Sequence, residues 1–430
     1  MMESRTPLEQ LEIELNKRVE HKEQIEQLKS YLKEKLYFQF LESSLEYIST
    51  DGLKVCGNEL CEFLVNAVEP LKSNFDPLRY AVFVGEVLSR SPISIQEKVE
   101  LLKKTMGDED LYQVKENYKN ASLTQEQNIA PKQEIKGDLY FRCLLALEYS
   151  KSKDLSVDCE EMLEFLTKKL EFYRGLEAEI LALYHRSYAS YEKTMGRVSR
   201  FYRQTIHYLS YTPLNKIPYK EKPSLVYELI MAAVISEEIY NMGELVLHPI
   251  VQEFSSIVKG NNSNQMIDEL TKKEFAENAW ILEILVSLHE GDLNSFMNAI
   301  TKYQDKVSKT PLSTPDARVC ITKKTATLAL MDLAFRKNKN ERVLTFDEIA
   351  KHCRIGANEI ELLVMKAINM NLIKGIIDQA SQTVEISWVH SRVLDKTRMK
   401  LLMDKIDNWI GSTTDIVSQL ENIAPELVNS

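Results

Sequence analysis

Catalysis needs groups that converge, and the residue types able to supply them are spread thinly along this chain. The seven histidines are His21, His185, His207, His248, His289, His352 and His390, and none lies within 20 residues of another. HExxH and HxH metal spacings are therefore absent. His289-Glu290 opens such a motif, but no second histidine follows it. Cys56 and Cys61 form the one close cysteine pair, which reads as two buried thiols rather than zinc ligands. No two glycines stand closer than five apart, so GxGxxG is missing, and without a Gly-Lys dipeptide there is no Walker loop. A GxSxG elbow is missing too. Spacing alone leaves open a Cys or Ser working with a distant His, but nothing local recommends one. The reading is a non-enzyme with no catalytic residue, no metal ligand and no cofactor. His248-Pro249 reads as a helix terminus, with Pro249 fixing the following turn.

The elements that carry these residues are helical. A chain of 430 residues with 44% hydrophobic content can bury a large core, and only 13 Gly and 12 Pro leave few turns. The net charge of −10 disfavours nucleic acid or an anionic membrane as partner. The six cysteines, Cys56, Cys61, Cys143, Cys159, Cys320 and Cys353, show no disulfide spacing and read as reduced thiols of the cytoplasm or nucleus. The N-terminus lacks a signal-peptide core, and no apolar run approaches the roughly 18 residues a membrane span needs.

From Leu8 to about Val307 the pattern gives helix after helix. Leu8, Leu11, Leu15 and Val19 share one face, and Ile25, Leu28, Leu32 and Leu36 another. Breaks fall at Asp51-Gly52, at Asn74 to Pro77, at Ser91-Pro92 and at Met106-Gly107. The stretch Tyr184–Leu209 is the clearest repeat: Leu183, Tyr184, Tyr188 and Tyr191 line one helix, Gly196 permits the turn, and Phe201, Tyr202, Ile206 and Leu209 line the next. This is an α-solenoid of TPR-like texture without a strict period. Asn117–Lys136 and Lys259–Asn264 read as loops, and Ser308–Asp316 as a connector into a helix over about Ile321–Phe335.

Leu344–Trp388 reads as a winged helix. Thr345-Phe346-Asp347-Glu348 is a capping box that starts one helix, Gly356 marks the turn, and a second helix runs from about Asn358 to Met370. Strands at Ile373–Ile377 and Thr383–Trp388 make the hairpin, with Trp388 as core. The second helix carries Glu359 and Glu361 against Lys366, the wrong balance for phosphate contact, so the module is expected to bind protein. Ile376, Val384 and Ile386 of the hairpin are its candidate partner residues, on a sheet edge able to pair across subunits. After Trp388 a helix from about Val393 to Asn422 repeats Leu402, Ile406, Trp409 or Ile410, Ile416 or Val417, and Leu420 at steps of three and four, with Gly411 a possible kink. From pattern alone this seam serves a bundle with other chains or a fold back onto its own domain.

LTFDEIA (Leu344–Ala350) followed by NEIELLVMKAI (Asn358–Ile368) resembles the end of a PCI domain. That family is shared by the proteasome lid, the COP9 signalosome and a translation initiation factor. Tyr184–Leu209, GELVLHPIV (Gly243–Val251) and WVHSRVLD (Trp388–Asp395) resemble the lid branch in particular. The first 40 residues and Glu116–Lys136 depart most from the pattern. The resemblance implies a mainly α fold: an N-terminal helical-repeat region (1–222), a PCI domain (223–392, winged helix at about 321–391) and a C-terminal helix for bundling (393–430). It implies a structural lid subunit serving ubiquitin-dependent degradation. Its partners would be other lid PCI subunits, through the winged helix and a helix bundle, and a ubiquitin-receptor subunit. The alternatives are a PCI scaffold of the signalosome or initiation factor, and a nucleic-acid-binding winged-helix protein.

Overall fold

The computed structural model describes residues 22–49, 64, 68–106, 133–259, 269–290, 293–337, 342–390 and 396–423. The expected helix over Leu8–Val19, the Asp51-Gly52 break, the Cys56/Cys61 pair, and most of the loops at 117–136 and 259–264 lie outside these residues. The chain divides into two compact units, Met1–Lys216 and Ile217–Ser430.

The first unit is built of helices α1 (Lys22–Lys33), α2 (Tyr37–Ser49), α3 (Pro77–Arg90), α4 (Ile95–Met106), α5 (Gln133–Ser150), α6 (Ser156–Phe172), α7 (Ala178–Thr194) and α8 (Val198–Tyr211). Their ends follow the local chemistry. Asp76 accepts from the Arg79 amide and Pro77 occupies the first helical position, which starts α3; Ser91 before Pro92 ends it. Helix α5 begins at Gln133, so the polar stretch expected to run to Lys136 ends earlier. The core joins successive helices: Phe40 stacks on Phe75, Phe75 on Tyr80, and Tyr80 meets Phe141 edge to face. The hairpin α7–α8 turns at Gly196, whose φ of +73° is the left-handed conformation that glycine adopts without strain. Tyr184, Tyr191, Phe201, Tyr202 and Leu209 are buried there, while Leu183, Tyr188 and Ile206 are half-buried.

The second unit continues with α9 (Lys222–Ile235), α10 (Met242–Leu247), α11 (Pro249–Val258), α12 (Glu269–Asn278), α13 (Trp280–Glu290), α14 (Leu293–Lys302), α15 (Gln304–Val307) and α16 (Pro315–Arg336). His248 caps α11 by accepting the Ile250 amide at Nδ1, with Pro249 next, as its sequence suggested. Helix α16 starts six residues earlier than expected, because Pro315 serves as its first residue after Thr314. Its Leu328, Leu330, Met331 and Ala334 are buried. Beyond it come β1 (Val343–Thr345), α17 (Phe346–Cys353), α18 (Ile360–Asn369), β2 (Ile373–Asp378), β3 (Thr383–Val389) and α19 (Lys396–Ile423). The sheet is antiparallel in the order β1-β3-β2. Among the described residues, no helix is long and apolar enough to cross a membrane.

Candidate functional site

The winged helix is set by a few local interactions. The Glu348 amide donates to Thr345 Oγ1 at 3.3 Å and the Thr345 amide donates to Glu348 Oε2 at 3.3 Å, closing the capping box. Lys337 Nζ, 2.9 Å from the same carboxylate, holds its pKa below the usual range. The connection between α17 and α18 holds Gly356, as expected, at φ −68°, while the left-handed residue that ends α17 is Arg354, at φ 53°. Leu344, Ile349, Cys353, Ile360, Val364 and Ile373 fill the space between helices and sheet.

On the reading helix α18 the outward positions are Leu362 and Met365, 60% and 52% exposed. Its single cation, Lys366, lies 3.5 Å from Glu237. That face therefore offers apolar surface and carboxylates where a groove-reading helix offers guanidinium and ammonium groups.

The sheet divides the candidate partner residues. Val384 and Ile386 lie on β3, the central strand, where Val384 faces Leu344 on one side and Ile377 on the other. Both side chains are buried in the module's own core. Their expected role at an interface is thereby corrected: the three-residue β1, which carries too little pattern to be seen in the sequence, closes the edge that a two-stranded hairpin would leave. Ile376 is different. It sits on the edge strand β2 and is 71% exposed. At Gly375, where the register slips, a Cβ would fall on the Glu385 carbonyl oxygen, so the bulge requires glycine. Trp388, expected in the core, is 41% exposed at the end of β3 with Lys374 Nζ 5.2 Å from its ring centre. It stands on the outer side of the sheet, where a cation covers it.

Helix α19 runs unbroken through Gly411 for 28 residues, about 42 Å at 1.5 Å per residue. Leu402, Ile406, Trp409, Ile410, Ile416, Val417 and Leu420 are all between 41% and 72% exposed. Met399 and Met403, not among the sequence candidates, belong to the same face and are also exposed. They were findable, since Met403 stands seven residues before Ile410 and four after Met399. Together these residues form one apolar band about 140° wide. Lys405 reaches from beside the band to the Phe335 carbonyl at 3.3 Å, at the end of α16.

Elsewhere, the buried thiols are chemically quiet: burial pushes Cys159 and Cys353 up to about 12 and Cys143 higher. The α7–α8 hairpin brings together His185 and His207, which spacing had kept apart, with ring centres 5.1 Å apart.

Residues 24–270 match the family described as PSD13 N-terminal repeats, and residues 319–388 match the PCI domain. The chain is 28% identical to the 26S proteasome non-ATPase regulatory subunit 13 of Dictyostelium discoideum over 271 residues, 63% of this chain and 65% of that one. It is 25% identical to homolog B of the same subunit in Arabidopsis thaliana over 422 residues, 98% of this chain and 99% of that one. A shorter stretch of 145 residues, 34% of each chain, is 25% identical to the eukaryotic translation initiation factor 3 subunit M of Dictyostelium discoideum.

Proposed function

The chain belongs to the family of PSD13 N-terminal repeats and carries a PCI domain, and from that premise we propose that it is a non-catalytic structural subunit of the 26S proteasome regulatory particle lid. The relatives named as this subunit support the reading along nearly the whole chain, whereas the initiation-factor likeness is confined to about a third of it. In this reading the chain works by position. Its winged helix lies beside that of another PCI subunit, and α19 enters a helix bundle, in the cytoplasm and nucleus, so that ubiquitin-dependent degradation proceeds on an assembled particle.

The observation that carries the mechanism is the exposed apolar band of α19. Burying such a band returns about 25 cal/mol per Å² of apolar area, and soluble monomers rarely leave a continuous strip of this kind in water. Ile376 on the β2 edge supplies the second contact, since an edge strand has backbone donors and acceptors left to pair.

Purification of the tagged chain at native expression level, followed by identification of its partners, tests the reading. Regulatory-particle subunits in equal amounts are expected. A chain ending at Arg392 should lose them while keeping the thermal transition of the full chain. Recovery of initiation-factor or signalosome subunits instead would overturn the assignment.

A further inference from the structure

A second surface stands out by its charge. From Lys193 to Lys216 the chain has five Lys or Arg and no Asp or Glu, within a protein of net charge −10. Helix α8 occupies most of this stretch. Its buried side carries Phe201, Tyr202, Thr205, Tyr208 and Leu209. Opposite them, Arg200, Arg203, His207 and Tyr211 are exposed in one stripe that Arg197 extends at the helix start. From Arg197 to His207 the stripe is about 15 Å long.

Two features fix its geometry. Glu192, at the end of α7, has a fully buried side chain, and neither carboxylate oxygen has a hydrogen-bond partner. Arg197 and Arg200 hold their Nη1 atoms 3.8 and 3.7 Å from it, with side chains 42% and 61% exposed. A guanidinium has five N–H donors, so each arginine keeps donors for a second anion. Burial raises the Glu192 pKa while the two arginines oppose that shift, so both guanidinium groups are drawn to the start of α8 beside this carboxyl. At the other end, His185 lies parallel to Tyr211 with ring centres 5.5 Å apart, stacks on His207, and is held by Gln204 at 2.7 Å. This makes a flat aromatic shelf beside the arginines.

We propose that the outer face of α8 is a docking site for an acidic linear segment of another protein, carrying one aromatic residue for the shelf. The stripe spans about four to five residues of extended chain at 3.3 Å each. Two or three carboxylates satisfy its arginines in the bidentate geometry they favour. A long polyanion fits it poorly, because the acidic remainder of the chain repels such a ligand beyond this short stripe. The site is independent of the α19 band and of the β2 edge.

Fluorescence polarisation with the full chain tests it. The probe is a labelled hexapeptide of Asp and Glu with one Trp; the comparators are its Asn/Gln counterpart, a single-stranded RNA and phosphatidylserine vesicles. The acidic peptide is expected to bind, with affinity falling at least about tenfold for the amide peptide and for Arg200→Gln/Arg203→Gln, and falling again as salt shortens the screening length. The thermal transition reports folding of the variant; should the pair unfold the chain, Arg203→Gln alone, which leaves both arginines of Glu192 in place, serves instead. Unchanged peptide binding by the folded variant overturns the proposal. So does the absence of binding by the acidic peptide, or tighter arginine-dependent binding of RNA or vesicles.

Discussion

Lys324 shows how one residue can hold two helices of the second unit together. It lies on α16, 1% exposed, and its ammonium donates to the carbonyls of Ala233 and Ser236 at 2.5 and 2.7 Å, at the end of α9. A cation at a helix C-terminus is well placed against the dipole. Burial nevertheless pulls its pKa down to about 7, with Cys320 working weakly in the other direction. Between pH 7 and about 10 the unfolded chain therefore holds a proton on this lysine that the folded chain has released. Stability rises with pH wherever the unfolded state binds more protons. Urea unfolding at pH 7 and at pH 9 should show the wild type gaining on Lys324→Met as pH rises. Lys324→Met should also lose about 1–3 kcal/mol through the loss of both hydrogen bonds to these carbonyls. An unchanged difference between the two proteins across that range would mean that Lys324 stays charged when folded.

At the scale of elements, the two outer strands and the central one should respond differently. Ile376 is exposed on β2, whereas Val384 is buried on β3 between two partners. Ile376→Lys should leave the thermal transition of the isolated chain unchanged, because most of the side chain is in water and its cross-strand neighbour is Glu385. It should weaken incorporation into the complex, because lysine on an edge opposes pairing with another chain. Val384→Pro should unfold the winged helix, since it removes a ladder donor from a central strand. Equal effects of the two substitutions on stability would place β2 inside the sheet. The sequence made the helices of this module legible because a capping box and a 3.6-residue period are local signals. The hairpin was legible for the same reason. The strand order was not, because β1 is three residues long and reaches its partner across 38 positions, from Thr345 to Thr383. The alternation Val384-Glu385-Ile386 already showed two residues sharing one face; only the third strand showed that this face and both edges of β3 were internal.

For the whole molecule, the question is where the apolar surface of α19 goes. The repeating seam was plain in the sequence, but a seam is the same whether it meets its own domain or another chain. In the structure, every described side chain from Leu402 to Leu420 is exposed, and Lys405 at Phe335 provides a tether near the base. Ile406 and Ile416, ten residues apart on the band, are 46% and 56% exposed. Replacing both by Asp adds charge on exposed positions of the isolated chain, so its stability should change by no more than about 1 kcal/mol, about 0.5 for each surface substitution. In the assembled particle the same carboxylates would have to enter an apolar bundle, at a cost of several kcal/mol for each unpaired charge. The double variant should therefore fold normally, measured by urea unfolding of the purified chain, and be depleted from the particle at least about tenfold, measured by its ratio to the other subunits after purification. Normal incorporation would show that the band stays in water in the complex, and the mechanical role of α19 would have to be given up.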